Sequence, residues 1–531
     1  MHNPASPPSA AAAPAAAPAA DPGGFRASPR QVRLMPLIAL IFFSVSGGAY
    51  GIESLFSSSG PGMGLLLILV APLVYGLPHS LVVAELGTAI PVEGGFYHWV
   101  KRGLGNFWGF QSALLTWLCS FVDMALFPLL FANYLQSMVS AVAPGKHVLF
   151  ALGGLEIDLN WLICVGVIVV FTLVNLMGAG WVGESSLVFG VVCLTPMLVL
   201  TVIGLWKLVS DPSNPVTSLT LGHQQSTASA FGAGLFIVMW NYCGWDQVST
   251  VAGEMENPRR DLPKALFASI ALIVVAYLLP CLAALTVGRD GEAGWANWGD
   301  GSFAEVGKVL GGPWLQAAVT IGGMFSAVAM FSALLASNSR LPLVLSRDGY
   351  LPARLTHESR RFKAPIASIV GSSAIYAVFC LSSFGDLVVV DVFLTNVVIL
   401  LEVAALVALR VREPGLARPY RVPGGWTAIA AIVLSLTAVC VFAAWAQYRD
   451  SGTRSVVYGL TTVAFSFVLY LPLERWRRAR VRRGTLPDLG ADSPAYLAWL
   501  ARATERGPGT DEPPLTEDSL PEPLATTGAA R

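Results

Sequence analysis

Along most of this 531-residue chain, apolar residues do not alternate with polar ones; they run on. Nearly charge-free stretches recur near 32–58, 63–87, 105–139, 159–178, 185–208, 229–254, 265–288, 313–341, 365–383, 387–411, 426–447 and 455–473. Each approaches or exceeds the roughly 20 residues that an α-helix needs to cross the hydrocarbon core of a bilayer. The pattern predicts an all-α membrane protein of about twelve transmembrane helices.

Two of these runs are interrupted. The first carries SVSGGAYGIES (44–54), with Gly47, Gly48 and Gly51 in mid-run. The sixth runs FGAGLFIVMW and then NYCGWDQVSTVAGEMENPRRDLPKA, so that Asn241, Gly244 and Asp246 fall near its middle. Glycine costs about 1 kcal/mol against alanine inside a helix, and in lipid every freed backbone group needs a partner. Unwound main chain at that depth is tolerated where protein buries it or where it lines a cavity. Close packing of helices through small residues is the other reading. The segments AYGIE (49–53) and YCGWD (242–246) favour the first, because each places an acid two residues after a glycine. Interruptions at matching places in two halves mark the binding site of secondary transporters.

Composition agrees on the solvent. The chain is 54% hydrophobic and 12% charged, about half the charge density of ordinary soluble domains. Its formal charge is zero, so the distribution carries the information. With twelve spans both tails share one side; the loops and tails on that side hold 27 of the 33 Lys and Arg residues, the opposite loops 6. By the positive-inside bias, both termini are expected in the cytoplasm and the protein in the cell's inner membrane. The seven cysteines lie in or beside apolar runs without a CxxC pair, which reads as small buried side chains. Residues 1–30 are Ala/Pro-rich and expected to be a disordered tail. Residues 31–475 form one transmembrane domain, and 476–531 a mostly disordered cytoplasmic tail with one short helical candidate, SPAYLAWLAR.

The stretch from Asp246 through Glu254, Asn257, Pro258, Pro263, Lys264 and Ala265 resembles the amino acid–polyamine–organocation (APC) permease superfamily. So do VVAELGTAIPVEGGFYHWVKRGLGNFWGF (82–110), SNSRLPLVLSRDGYLP (337–352) and RPYRVPGG (418–425). Within it, GIES with Glu53, FVDMALFPLLFANYL with Asp123 and LLEVAALVALR with Glu402 look like the polyamine-uptake branch, near the L-type amino acid transporters. The resemblance covers roughly residues 32–475. It implies a five-plus-five inverted-repeat (LeuT-like, APC) fold with helices 1 and 6 discontinuous, and alternating access. By that match Gly47, Gly48, Tyr50 and Gly51 would offer backbone groups to substrate, Trp240 would stand where relatives keep an aromatic gate, and Tyr242 and Trp245 would shape the pocket; Asn241, polar in mid-run, is a further candidate for substrate binding. Several proton-coupled relatives carry a lysine in a K-L-x-P pattern on the fifth helix. Here it is C-L-T-P with Cys193, so a proton would need another carrier.

A carboxylate at mid-bilayer costs roughly 2.5–3.5 kcal/mol on insertion scales, so each needs a reason. Glu53 reads as a substrate or proton site, or as a paired structural acid. Asp123 reads as a substrate contact or a structural group, and Asp246 as a coupling or gating group or a structural one. Glu85, Glu254 and Glu402 read as partners in structural ion pairs, and His79 as a hydrogen-bonded core histidine. Acids without intramembrane Lys or Arg make a cavity of negative potential that suits a cation, with Tyr50, Trp240, Tyr242 and Trp245 adding cation–π contact of about 0.5–2 kcal/mol each.

The expected function is a secondary active transporter of polyamines or amino acids, proton-coupled. A carrier of neutral or branched amino acids and a non-transporting membrane sensor are the alternatives. Neither G-x-S-x-G, HExxH nor a Walker lysine motif occurs, so no enzyme, no cofactor and no metal is expected. The partners expected are the bilayer, the small-molecule substrate and a proton or other coupling ion, with no nucleic acid, for a monomer or homodimer.

Overall fold

The computed structural model describes residues 32–505, apart from 140–141, 143–144, 146, 153–154, 211–221, 224–225, 360–363, 382–383 and 452. The Ala/Pro-rich segment 1–30 therefore lies outside the described residues. Helices occupy all twelve places that the apolar runs predict. Seven of them are long and apolar enough to cross a membrane by length and composition. Four shorter apolar helices follow the same pattern: Leu34–Val45, Leu159–Asn175, Thr227–Asn241 and Ile366–Phe379. Two of those four are short because they are the first halves of the interrupted spans one and six.

Burial sorts the spans into layers. In the third and eighth spans, Asn106–Met138 and Pro313–Arg347, 67% and 78% of the most apolar stretch is buried. In the fifth and eleventh, Ala179–Ser210 and Gly425–Ala446, the share is 28%, so these present apolar side chains outward. That outward face, with Val188, Val191, Leu198 and Val202 exposed along the fifth span, is the surface a bilayer covers. The eighth span packs between the third and fifth, and the first packs on the fifth, seventh and eighth. The broken spans are thus enclosed by helices.

One element has no counterpart in the sequence reading. Between spans three and four, Val148–Leu152 and Leu155–Asp158 pair as an antiparallel hairpin. Asp158 then caps the fourth span, accepting from the Trp161 amide at 2.8 Å.

The face on which the described chain begins and ends, called the termini face below, is tied by charge. Arg340 donates to Glu254 through Nη2 at 2.7 Å and Nε at 3.1 Å, both side chains being buried. Glu85 accepts from Arg410, from Arg418 at 3.3 Å and from the Val422 amide at 2.8 Å. Arg347 pairs with Glu93 and Glu358, and Lys101 with Asp348. Such pairs, desolvated but matched, cost heavily only when one member is removed.

The segment after span twelve departs from the tail expected for 476–531. The last span continues to Arg482, and Pro494–Glu505 forms a helix at the place of SPAYLAWLAR. This strap lies on the interfacial helix Phe96–Leu104. Tyr496 stacks on His98 at 5.9 Å between centroids, Trp499 stands 5.2 Å from the same ring, and the Ala491 amide donates to Asn106 at 2.8 Å. An aromatic pair beside a neutral imidazole supplies enough buried area to hold a short helix that would not be stable alone. Residues 506–531 lie outside the described residues.

Candidate functional site

The first helix stops at Val45 and resumes at Ser54. Between them Gly48 and Gly51 adopt φ of 79° and 85°, a region that side chains disfavour. The freed backbone groups find partners one by one. Ser326 donates to the Gly47 carbonyl at 2.6 Å, and the Gly48 amide donates to Ser46 Oγ at 3.0 Å. Tyr50 turns its hydroxyl to the Cys193 carbonyl at 3.0 Å. Glu53 accepts three hydrogen bonds: from the Gly51 amide at 2.7 Å, from the Tyr134 hydroxyl at 2.7 Å and from the Gly301 amide at 3.2 Å. Gly301 belongs to the segment joining spans seven and eight. Glu53 therefore ties the first break to span three and to a loop of the face opposite the termini.

The sixth span stops at Asn241 and resumes as a 3₁₀ turn over Gln247–Glu254. Tyr277 closes the freed end, donating to the Asn241 carbonyl at 3.0 Å. Trp245 donates to the Tyr242 carbonyl at 2.7 Å, and Tyr242 reaches the Ile68 carbonyl at 3.2 Å. Gly244 has φ 91°, and a methyl group there would stand 2.4 Å from the Ser44 carbonyl oxygen. The two breaks touch through bare main chain.

A cavity opens beside this crossing, about 660 Å³ with its mouth included. Four sequence-predicted residues line it: Asp123, Trp240, Asn241 and Asp246. Gly47, Gly48, Tyr50, Gly51 and Glu53 do not line it, nor do Tyr242 and Trp245; they build the packing behind its wall. Gly51 sits against the Trp240 ring, which in turn stacks on Phe127 at 6.5 Å. The lining also contains polar groups that the sequence reading missed, among them Ser44, Thr116, Ser120, Gln247, Asn338 and Thr395. A signal existed for two of them. Thr116, Ser120 and Asp123 recur at four and three residues, which puts them on one face of span three. Of the lining residues two are acidic and none is basic.

Behind Asp246 lies a second polar group. His79 of span two and Glu402 of span ten meet through Nε2 and Oε2 at 3.0 Å, both fully buried. One donor atom from each of His79, Asp246 and Glu402 lies within 4.8 Å of the others. An imidazole with two carboxylates is a set that can share protons or hold a divalent cation. Among the described residues, neither Asp246 nor Glu402 forms an ion pair with lysine or arginine, in contrast to Glu85 and Glu254.

A helical bundle with two broken spans around an acidic chamber can be compared with known proteins. The amino acid permease family model matches residues 37–466. This chain belongs to that family. The permease is 36% identical to the polyamine transporter PUT1 of Oryza sativa subsp. japonica, over 89% of this chain and 85% of that one. It is 32% identical to the polyamine transporter RMV1 of Arabidopsis thaliana, over 75% and 76% of the two chains. At 23% it also resembles the serine/threonine exchanger SteT of Bacillus subtilis (strain 168), over 74% and 86%. Among solved structures, MhsT in complex with L-phenylalanine superposes with a TM-score of 0.56 at 14% identity, covering 78% of the permease and 99% of MhsT. That likeness concerns the fold, the five-plus-five inverted repeat that the family resemblance implies.

Proposed function

We propose that this permease is a secondary transporter of polyamines, working by alternating access and coupled to protons, in the cell's inner membrane with both termini in the cytoplasm. The observation that carries the substrate class is the charge of the cavity: Asp123 and Asp246 on its wall, no basic lining residue, and Trp240 beside them. Two acids on a wall that has no basic lining residue give the chamber a negative potential, which a cationic cargo offsets. A polyamine meets that need, with ammonium groups at the two acids and methylenes along Trp240 and Phe127. The polyamine transporters among the relatives support the same class.

A zwitterionic amino acid is the second reading. Ser44 and Val45 bring the C-terminal end of the first half-helix to the cavity, where main-chain carbonyls and the negative end of the helix dipole can meet the amine. In this reading Asp123, Trp240, Asn241 and Asp246 contact the cargo, and Glu53 acts through the break it braces.

Uptake of putrescine, spermidine, arginine and leucine by proteoliposomes at two pH values tests both readings. Preference for the diamine and triamine is expected. Asp123→Asn is expected to lower polyamine flux about tenfold or more while the unfolding temperature in detergent stays near wild type. Leucine uptake that exceeds polyamine uptake overturns the polyamine reading.

A further inference from the structure

The acids of this bundle fall into two kinds. Those near the termini face are matched by arginine or lysine, and Glu53 by three donors. The group at His79, Asp246 and Glu402 is neither. It stands one layer behind the cavity wall, and only Asp246 of the three lines the cavity. His79 Nδ1 and Glu402 Oε1 are buried without a hydrogen-bond partner, so each end of the His79–Glu402 contact has an unused polar atom. His98 under the strap also keeps one ring nitrogen without a partner, so what sets His79 apart is its position between two buried carboxylates.

We propose that His79, Asp246 and Glu402 form one proton-binding site, and that its proton and the cationic cargo exclude each other. The inference rests on the cation reading given above and names the residues that carry the coupling. Two ionised carboxylates this close, buried and with no lysine or arginine paired to them among the described residues, repel strongly, so the empty transporter holds a proton among the three groups. When an ammonium group comes to Asp246, it supplies the missing positive charge. The proton then leaves the cluster through Asp246, the one member open to the cavity. When the cargo departs, a proton returns to the same set of atoms. No bond other than N–H and O–H is made or broken, and the site's net charge stays nearly constant through the cycle. The two ligands are linked reciprocally, so pH must change cargo affinity by the same factor as cargo changes proton affinity.

The charged and titratable groups around the cluster are few. The electrostatic partners of His79 and Glu402 are Asp246 and each other. Asp123 of span three lines the same cavity as Asp246. Further along the same two helices, Glu85 and Arg410 pair with one another and with Arg418. The seventh and eleventh spans pack on the second as well, and bring no ion pair to His79 among the described residues.

The test measures spermidine binding to the purified full-length protein in detergent by calorimetry, between about pH 5.5 and 8.5, together with protons released into weakly buffered solution. Wild type is expected to gain about tenfold in affinity over that range and to release close to one proton per spermidine at its acid end, falling toward none at its alkaline end. His79→Gln and Glu402→Gln do not touch the cavity. Each is expected to bind within about threefold of wild type at the upper pH, while the pH dependence flattens and proton release falls by more than half. Wild-type pH dependence retained in both variants overturns the proposal, as does spermidine binding to wild type without proton release at the acid end. If neither variant gives a monodisperse protein, the wild-type proton count alone decides. Wild type that binds leucine and not spermidine removes the cation reading itself, a separate outcome. Affinity that EDTA abolishes and a divalent cation restores assigns the cluster to a metal instead and overturns the proton site.

Discussion

The two breaks carry nearly the same sequence pattern and put it to different uses. In AYGIE, the acid is Glu53, and three donors from three parts of the chain converge on it. In YCGWD, the acid is Asp246, which faces a cavity on one side and another carboxylate and an imidazole on the other. One carboxylate is fully matched, the other shares its charge. The spacing of acid and glycine fixes where a carboxylate stands in the fold. Its role follows from what faces it, and that is set by remote segments.

Mutations can break or sharpen this comparison. Glu53→Ala would strand the Gly51 and Gly301 amides and the Tyr134 hydroxyl, and is expected to lower stability by about 3–5 kcal/mol, read as thermal unfolding in detergent. Tyr134→Phe removes a single donor to a carboxylate and is expected to cost about 1.5–3 kcal/mol in the same measurement. Asp246→Asn relieves like charge rather than stranding donors, so its stability is expected within about 1 kcal/mol of wild type. If Asp246→Asn proves as damaging as Glu53→Ala, the breaks are alike in kind and the contrast fails.

The smallest effect concerns the strap. Burial first, then Lys101 and Arg347, holds the His98 imidazole well below its ordinary value of 6.5. A depressed histidine is neutral when docked, so the strap's hold is complete above pH 6.5 and weakens as pH falls below it. The protection of residues 494–505 from hydrogen exchange, taken relative to the intrinsic rate at each pH, is expected to fall at pH 5 compared with 7.5, and Tyr496→Ala should remove the difference.

Much of the bundle was legible because lipid leaves few options: apolar runs become spans, and glycine inside them marks a break. Asp123, Asn241 and Asp246 stood out as polar residues inside apolar runs and Trp240 through the family resemblance, and all four line the cavity. What could not be read were partners. Arg340 follows Glu254 by 86 residues, Arg410 follows Glu85 by 325, and Glu402 follows His79 by 323. No local periodicity links such positions. Glu53 shows the cost of that blindness, since a free acid and a triply bonded one look the same in sequence. The docked helix Pro494–Glu505 was visible as a motif, but its seat on His98 and Asn106 was not.

The crossing at Gly244 has a mechanical meaning. Main chain rests on main chain there, with 2.4 Å between the Ser44 oxygen and the point where any side chain would begin. Two struts in such close contact leave no room for a side chain between them, so a tilt of one presses directly on the other.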